Sequence, residues 1–346
     1  MLLQIETFLL VEKLILIAVI LGISLFIAMY STYAERKVAG FIQDRRGPNR
    51  AGPFGILQPL ADGGKLFFKE EIIPANSNRF LFVLGPSIAM LTACMTSAVI
   101  PWGDSLTIAG HTIPLQVADV NIGVLFIFGV VSLGVYGIMI GAWASNNKFS
   151  LLGAIRAASQ IISYELAMGL SLIALLMLSG SLSLRDIVEQ QRQGVWYVVY
   201  QPLGFLIFLV CAFAECNRTP FDLAECESEL VGGFHTEYSS MKLGFYLFSE
   251  YINMFISSAV MATLYFGGYS FPGMDSLHVS PNLLGILGIV ALFIKIVLFL
   301  FFFMWVRWTI PRFRYDQLMN LGWKVLIPLA LVNLLITGGI VLYLQQ

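Results

Sequence analysis

The sequence predicts an all-α polytopic membrane protein, with eight transmembrane helices and one short amphipathic helix at the membrane interface. The first observation is composition: 58% of the 346 residues are hydrophobic and only 12% are charged, whereas soluble domains carry about 25% charged residues. The second is that the apolar residues are gathered into long stretches. The third is that basic residues fall almost entirely on alternate connections. This composition excludes a soluble enzyme with one anchor, and a net charge of −1 gives no reason to expect nucleic-acid binding.

The apolar stretches define the expected spans, since a membrane-crossing helix needs about 20 mostly apolar residues. Eight stretches qualify, and together they make residues 1–346 a single transmembrane domain: about 11–33, 79–100, 120–143, 157–179, 196–214, 241–266, 283–306 and 324–343. The fifth is short, and the last begins close to Pro328. The first follows acidic rather than basic residues, which favours a retained helix over a cleaved signal. No internal repeat is evident, which argues against transporters built from paired halves.

The distribution of lysine and arginine predicts the orientation. Sixteen of these residues lie in or beside four loops, at 34–78, 144–156, 215–240 and 307–323, and the opposite side carries only Lys13, Arg185 and Arg192. By the positive-inside rule the four loops are cytoplasmic and both termini face outward. All the chemically rich loops therefore share one face, which suggests a docking platform.

The 34–78 loop contains a predicted amphipathic helix. Glycine and proline punctuate its first half, as is typical of turns. Residues 57–70 then place leucine and phenylalanine among charged residues, a pattern typical of a helix lying in the membrane interface. A weaker amphipathic segment is expected at 184–192 on the outer side.

Few residues are suited to holding a cofactor. The three histidines do not form a pair on facing spans for haem, and no glycine-rich nucleotide motif follows a strand pattern. The cysteines show no CxxC spacing and are interpreted as reduced and structural: Cys94, Cys211, Cys216 and Cys226. We expect that this chain binds no cofactor or metal, and that partners carry any redox centres.

Acidic residues in and beside the spans are the strongest functional signal. Six of the chain's 21 acids lie within 214–240, between two spans. Glu165 and Glu250 lie inside spans and Glu215 ends one, where ionisable residues are costly and usually functional. Such carboxyls predict a proton relay; the alternative is structural ion pairs or interhelical hydrogen bonds. For Lys295, within the seventh span, we expect a structural pairing with a glutamate.

Four long segments resemble one known family. They are AERKVAGFIQDRRGPNRAGPFGILQPLADGGKLFFKEEIIP, SLLGAIRAASQIISYELAMG, AECNRTPFDLAECESELVGGFHTEY and WVRWTIPRFRYDQLMNLGWK. In this order they closely resemble the H subunit of respiratory complex I, the type I NADH:quinone oxidoreductase; its mitochondrial counterpart is called subunit 1. The resemblance covers the charged loops and most spans, whereas the outer loops at 102–119 and 267–282 carry no usable signature.

The resemblance implies an eight-helix subunit at the base of the peripheral arm. Such subunits have no redox centre, form the membrane part of the quinone chamber and begin a polar axis towards antiporter-like subunits. Quinone would be the substrate, with FMN and iron–sulfur clusters in partner subunits. The other implied partners are the quinone-site and terminal iron–sulfur subunits, small membrane subunits and lipid.

The resemblance also implies roles for individual residues. The implied quinone-chamber residues are Glu35, Arg36, Lys37, Asp62, Arg218 and Phe234. The implied proton relay comprises Glu165, Glu215, Glu225, Glu227, Glu229 and Glu250. Docking to the peripheral arm is implied for Arg45, Arg46, Arg307, Arg312 and Arg314, and for the last three no other role is expected. Arg218 would pair with one of the loop glutamates.

One departure concerns the third span. Some relatives place an acid there, but residues 120–143 offer only Ser132, Tyr136 and small residues. The onward path would then need water or an acid from a neighbouring subunit.

Three rival functions remain open at this point. The chain could be the anchor subunit of a related membrane-bound hydrogenase, a proton-coupled secondary transporter, or a structural anchor whose acids are inert. Neighbouring genes, transport by the isolated chain, and tolerance of Glu→Gln substitution would distinguish them. The expected location is a bacterial cell inner membrane rather than a mitochondrial one.

Overall fold

The computed structural model describes residues 2–108, 111–225, 227–277 and 279–345 and is mostly helical. Cys226 and His278 lie outside these ranges. In chain order the helices are α1 Leu2–Ile42, α2 Gln58–Phe68, α3 Arg79–Thr96, α4 Gly123–Ala144, α5 Lys148–Ser179, α6 Leu184–Gln193, α7 Tyr197–Tyr200, α8 Pro202–Glu215, α9 Glu227–Leu230, α10 Ser240–Tyr265, α11 Pro281–Thr309, α12 Tyr315–Asn320 and α13 Ile327–Gln345. Short 3-10 turns lie at Pro53–Gly55, Gly233–His235 and Met274–Ser276.

Seven of the described helices are long and apolar enough to cross a membrane. They are Leu10–Ile42 of α1, then α3, α4, α5, α10 and α11, and finally Tyr315–Leu344, where α12 runs through a π-helical turn at Leu321–Leu326 into α13. A polytopic membrane protein is thus confirmed, with seven rather than eight full-length candidate spans among the described residues.

The predicted fifth span is broken. Its apolar stretch forms the one-turn α7 and then α8, which has 14 residues and starts at Pro202. Proline has no amide hydrogen and cannot continue the preceding turn. At 1.5 Å per residue α8 is roughly 21 Å long, shorter than the ~30 Å hydrocarbon core.

The fold is not wholly α-helical. The connection between α3 and α4 contains an antiparallel hairpin, β1 Ser105–Ile108 with β2 His111–Pro114. Asn282 at the start of α11 holds it in place: its side chain accepts from the Thr107 amide at 2.7 Å and donates to the Thr107 carbonyl at 2.8 Å. The alternation of polar and apolar residues was too short to separate this hairpin from an irregular loop.

Both predicted amphipathic segments are helices. In α2 the apolar Phe67 and Phe68 are exposed and Pro59 is buried. In α6 the buried side chains are Leu184, Ile187, Val188 and Gln191, one face of the helix, which fits its period of 3.6 residues.

The centre of the bundle is α10, the most buried candidate span, which packs against α1, α3 and α11. Small residues allow close approach: an added Cβ at Gly141 of α4 would clash with the Tyr246 hydroxyl of α10. The Tyr246 hydroxyl donates to the Gly137 carbonyl at 3.0 Å. This small-residue contact is typical of helix packing in membranes, and it fixes the face of α10 that carries Glu250.

Lys295 of α11 has the structural role that we predicted, but the expected glutamate partner was wrong. Its ammonium donates to the carbonyl oxygens of Phe266, Gly268 and Ser270 at 2.7, 2.7 and 2.5 Å. It also lies 4.9 Å from the ring centroid of Trp196. These acceptors lie in the segment that follows α10, so Lys295 holds the start of the connection between α10 and α11 against α11.

Candidate functional site: a portal cavity and a buried carboxylate chain

A cavity of about 440 Å³ opens between α1, α2, α10 and the end of α11. Its walls are mostly apolar, and they also include charged and hydroxyl groups. The lining residues are Met29, Thr32, Glu35, Arg36, Pro59, Asp62, Gly63, Leu66, Leu247, Phe248, Tyr251 and Trp308. An apolar cavity with a few convergent polar groups is typical of a binding site for an organic ligand. We call it the portal cavity.

An exposed ion pair holds α2 against α1 at the rim of the portal cavity. Arg36 Nη1 lies 2.7 Å from Asp62 Oδ2, and the two side chains are 51% and 37% exposed. Gln58 donates to the other Asp62 oxygen at 3.0 Å from one turn earlier in α2. Both Arg36 and Asp62, predicted as chamber residues, therefore face the cavity.

A buried ion-pair cluster lies deeper, around Glu35. This carboxylate is only 6% exposed. Arg307 contacts one of its oxygens at 2.7 Å, and Arg218 contacts the other at 3.4 Å. The Tyr251 hydroxyl donates to the same oxygen at 2.8 Å, and the Arg218 guanidinium lies 4.1 Å from the Tyr251 ring centroid. Burying a charge is costly unless it is paired and hydrogen-bonded, so this carboxylate joins α1, α10, α11 and the 215–240 loop.

Two expectations for arginines were wrong. Arg218 was expected to pair with a loop glutamate, but its ion pair is with Glu35. Arg307 and Arg312 were expected to serve docking alone, but each is paired within the chain, Arg312 with Asp222 at 2.9 Å. Sequence patterns cannot report these contacts because the partners are far apart along the chain.

The remaining docking candidates are at the surface. Arg45 and Arg46 are exposed, and Arg45 donates to Gln43 at 2.6 Å. Arg314 is also exposed and lies 3.7 Å from Asp316. Their guanidinium groups are accessible to a partner.

Gln160 of α5 anchors the start of the 215–240 loop. Its side chain is fully buried and donates to the carbonyl oxygens of Ala214 and Phe221, both at 2.8 Å. Farther along, an added Cβ at Gly233 would clash with the Ala224 carbonyl, and the φ of 62° at this glycine is in the left-handed region that favours glycine. The loop therefore folds back on itself, with Asp222 buried and Glu225 largely buried.

Asp222 is a site residue that the sequence reasoning missed. It is 3% exposed and pairs with Arg312. Burial raises the pKa of Asp222 to about 7, the charge of Glu225 adds to this, and Arg312 and Arg218 oppose it. The three-residue spacing of Asp222 and Glu225 was the available signal.

Glu225, a predicted relay residue, has the opposite shift. Burial by itself would raise its pKa, but the hydrogen bond and charge of His235, together with Arg218 and Arg312, outweigh burial and lower the pKa. The His235 Nε2–Glu225 Oε1 distance is 3.2 Å. Neighbouring carboxyls whose pKa values are pushed apart are suited to passing a proton.

A second, smaller cavity of about 30 Å³ brings Glu215 and Glu250 together from α8 and α10. Both carboxyls keep one buried oxygen without a hydrogen-bond partner in the chain. The same cavity is lined by Phe234, Tyr246 and Asn253. Its volume exceeds the ~15 Å³ that one water needs.

Glu165 of α5 continues this series towards α4. It interacts electrostatically with Glu215, and it accepts a hydrogen bond from the Ser132 hydroxyl of α4. The third span, which offered no acid in the sequence, thus contributes a hydroxyl in direct contact with Glu165.

Two predicted site residues, Lys37 and Glu229, lie away from this arrangement, and Phe234 lies in a different cavity from the one expected. Phe234, expected in the quinone chamber, lines the smaller cavity, because the loop turns it inward against Tyr246. Lys37 lies over the ring of Tyr33 at 5.5 Å instead of lining the portal cavity. Glu229 forms a partly exposed ion pair with Arg156 at 2.6 Å. The Glu227 side chain lies outside what the structure describes. Within the described ranges, no three or more His, Cys, Asp or Glu side chains are grouped to hold a metal ion.

Comparisons with known proteins agree on one family. The model of the family described as NADH dehydrogenase matches residues 14–338. The chain is 69% identical to the NADH-quinone oxidoreductase H subunit 1 of Cytophaga hutchinsonii, over 96% of this chain and 97% of that protein. It is 66% identical to the H subunit of Flavobacterium johnsoniae, over 97% of each, and 51% identical to the H subunit 1 of Geobacter metallireducens, over 94% and 95%. The chain therefore belongs to the NADH dehydrogenase family.

Proposed function

We propose that this chain is the membrane-embedded H subunit of a proton-pumping NADH:quinone oxidoreductase, complex I. The names of the similar proteins support this assignment, and they do not favour a hydrogenase anchor or a secondary transporter. Electrons come from NADH through FMN and iron–sulfur clusters in partner subunits, while this chain supplies the membrane part of the quinone chamber. The chain is catalytic only as part of that assembly.

The portal cavity is the observation that carries the proposal. Its apolar walls, from α1, α2 and α10, suit an isoprenoid tail, and its lining also includes the charged groups of Glu35, Arg36 and Asp62. A quinone needs both environments, because its tail is apolar and its head group accepts hydrogen bonds. Quinone enters from the bilayer here and is reduced at the interface with a partner.

Reduction is coupled by electrostatics to a series of buried carboxyls, which we call the carboxylate chain. Its members are Asp222, Glu225, Glu250, Glu215 and Glu165. A quinone takes up electrons and protons in equal number on becoming a quinol. A charged intermediate in the chamber changes the interaction of Glu35 with Arg218, whose other buried charge partners include Glu225 and Glu250. About 1.4 kcal/mol of such interaction moves a carboxyl pKa by one unit. Protons then redistribute from the loop pair Asp222 and Glu225 through Glu250 and Glu215.

Glu165 is the last residue of the carboxylate chain, on the side that faces α4. The small cavity has room for a water between Glu250 and Glu215, and the Ser132 hydroxyl continues the path from Glu165 to α4. From there the change passes to small membrane subunits and on to antiporter-like subunits. This order gives each of the buried carboxyls a neighbour with which to exchange a proton.

The proposed placement is a bacterial cell inner membrane, with eight crossings if α8 counts as a short span. The termini face outward and the four charged loops face the cytoplasm. Exposed Arg45, Arg46 and Arg314 then meet the peripheral-arm subunits. The side opposite the four loops carries only three basic residues, Lys13, Arg185 and Arg192, as the positive-inside rule expects of the outer side.

Two adjacent glycines of α2 provide the test. Gly63 lines the portal cavity and Gly64 does not, and an added Cβ at either has no atom within 4 Å. Leucine favours a helix over glycine by roughly 1 kcal/mol, so neither substitution harms α2. We expect Gly63→Leu to lower NADH:quinone activity and raise the apparent KM for long-tailed quinone.

In the same assays Gly64→Leu keeps normal quinone kinetics, and both variants keep NADH oxidation with an acceptor that bypasses the quinone site. Equal quinone kinetics in the two variants would remove the portal cavity from the quinone path.

A further inference from the structure

An apolar crevice that shares no lining residue with the portal cavity lies near the N-terminal end of α1. Its volume is about 120 Å³, and apolar side chains alone line it. Four come from α1 over Leu16–Ile23, two from α11, and two from the connection that carries the hairpin. Val19 and Ile23 at its edge are exposed, so the crevice opens towards the lipid.

The crevice has a fixed wall. Trp102 is buried, stacks on Phe255 and Phe293 at 5.4 and 6.1 Å between centroids, and donates its indole N–H to the Ser97 carbonyl at 3.1 Å. An added Cβ at the neighbouring Gly103 would clash with Leu115 and Ile289. A wall held in this way does not have to be ordered on binding, so little affinity is lost to that cost.

A cation marks one end of the crevice. Lys13 lies one helical turn before Leu16 and donates to the backbone carbonyl of Gln116 at 3.0 Å, next to the lining residue Leu115. An ammonium has three N–H donors, so donors remain for an anionic oxygen. The carbonyl contact holds the charge beside the crevice mouth.

The distance from Lys13 to the far end of the crevice matches the thickness of one bilayer leaflet. From Lys13 to Ile23 the helix rises by roughly 15 Å at 1.5 Å per residue. That is half of the ~30 Å hydrocarbon core. A charge at the top and only apolar side chains below reproduce the profile of a phospholipid from phosphate to chain end.

We propose that this crevice is a binding site for one phospholipid, with an acyl chain between α1 and α11 and its phosphodiester at Lys13. The lipid fills the gap between the two helices and seals the outer half of the bundle. The proposal needs the chain to span a membrane, but it does not depend on where quinone binds.

The test uses the purified complex in nanodiscs that contain a phosphatidylglycerol with a diazirine on one acyl chain. After illumination, labelled residues are mapped by peptide mass spectrometry. We expect labelling of residues 16–23 to exceed that of the exposed α13 face, residues 331–340, by about tenfold. This ratio corresponds to about 1.4 kcal/mol, or roughly two further buried methylene groups.

Matched variants separate a site from general lipid contact. Val19→Trp fills the crevice from its exposed edge and should abolish the excess labelling, whereas Leu335→Trp, at an exposed position of α13, should leave it unchanged. Lys13→Gln should reduce it while keeping the crevice apolar.

Equal labelling of the two faces, or an excess that survives Val19→Trp, would overturn the proposal. An excess that is lost in Val19→Trp but kept in Lys13→Gln would overturn the phospholipid assignment and leave a chain without a phosphate. Stronger labelling of the crevice by a photoreactive quinone than by the phospholipid would overturn it as well.

Discussion

The two ion pairs at the portal cavity allow one prediction to be worked out in full. Both lie within reach of the same cavity, but the Glu35–Arg218 pair is buried, with side chains 7% and 5% exposed, whereas the Arg36–Asp62 pair is 51% and 37% exposed. The perturbation is Glu35→Gln, which keeps the shape and removes the charge. It leaves the Arg218 guanidinium buried without its compensating carboxylate.

The expected magnitude follows from burial. Breaking a buried pair by removing one partner costs about 3–5 kcal/mol, whereas an exposed pair contributes about 0.2–1 kcal/mol. At roughly 1.4 kcal/mol per tenfold change, local opening around Arg218 becomes at least about 100-fold more frequent in Glu35→Gln. For Asp62→Asn the change stays below about fivefold.

The assay is native-state hydrogen exchange of the assembled complex, followed at the backbone amides of residues 218–224. Exchange by local opening reports the free energy of that opening. The double variant Glu35→Gln/Arg218→Met removes the uncompensated charge, so its exchange should be slower than in Glu35→Gln alone. If Asp62→Asn speeds exchange as much as Glu35→Gln, or if Glu35→Gln has no effect, the reasoning from buried charge is wrong.

Two further predictions concern the carboxylate chain. Because the pKa of Asp222 is raised to about 7 from an ordinary value near 4, the folded loop favours the protonated acid. The contribution of Asp222 to the stability of the loop is therefore full below about pH 4, falls as the pH rises to about 7, and is constant above that. Asp222→Asn should abolish this pH dependence of loop stability, measured as the protease sensitivity of the loop at pH 5 and pH 8. A loop whose protease sensitivity stays equally pH-dependent in Asp222→Asn would contradict the raised pKa of Asp222. Ser132→Ala should lower the number of protons pumped per quinone reduced, because it removes the hydroxyl that contacts Glu165. Ser132→Thr keeps that hydroxyl and should pump normally. Equal pumping by both variants would exclude the hydroxyl from the proton path.

Local patterns in the sequence predicted much of this molecule. Apolar stretches of sufficient length located the long helices, because the bilayer sets their minimum length. The amphipathic period of 57–70 located α2, and isolated acids in apolar surroundings pointed to Glu165, Glu215 and Glu250. These signals are local in sequence and follow directly from the cost of exposing or burying a group.

The features that were missed depend on contacts between distant segments. Arg307 and Arg312 look like surface cations in the sequence, and only the fold brings them to Glu35 and Asp222. Asp222 was passed over for the same reason, since nothing nearby shows that it is buried. The break at Pro202 was visible, but the apolar residues on both sides favoured one continuous span.

The most direct test of the central claim is Glu215→Gln in the complex reconstituted into liposomes, with protons pumped measured per quinone reduced. Glu189→Gln is the matched control, because Glu189 is a half-exposed acid of α6. The account predicts that Glu215→Gln loses pumping-coupled quinone reduction while NADH oxidation by an acceptor that bypasses the quinone site stays intact. Normal quinone reduction with normal pumping in Glu215→Gln would contradict the carboxylate chain as the coupling path.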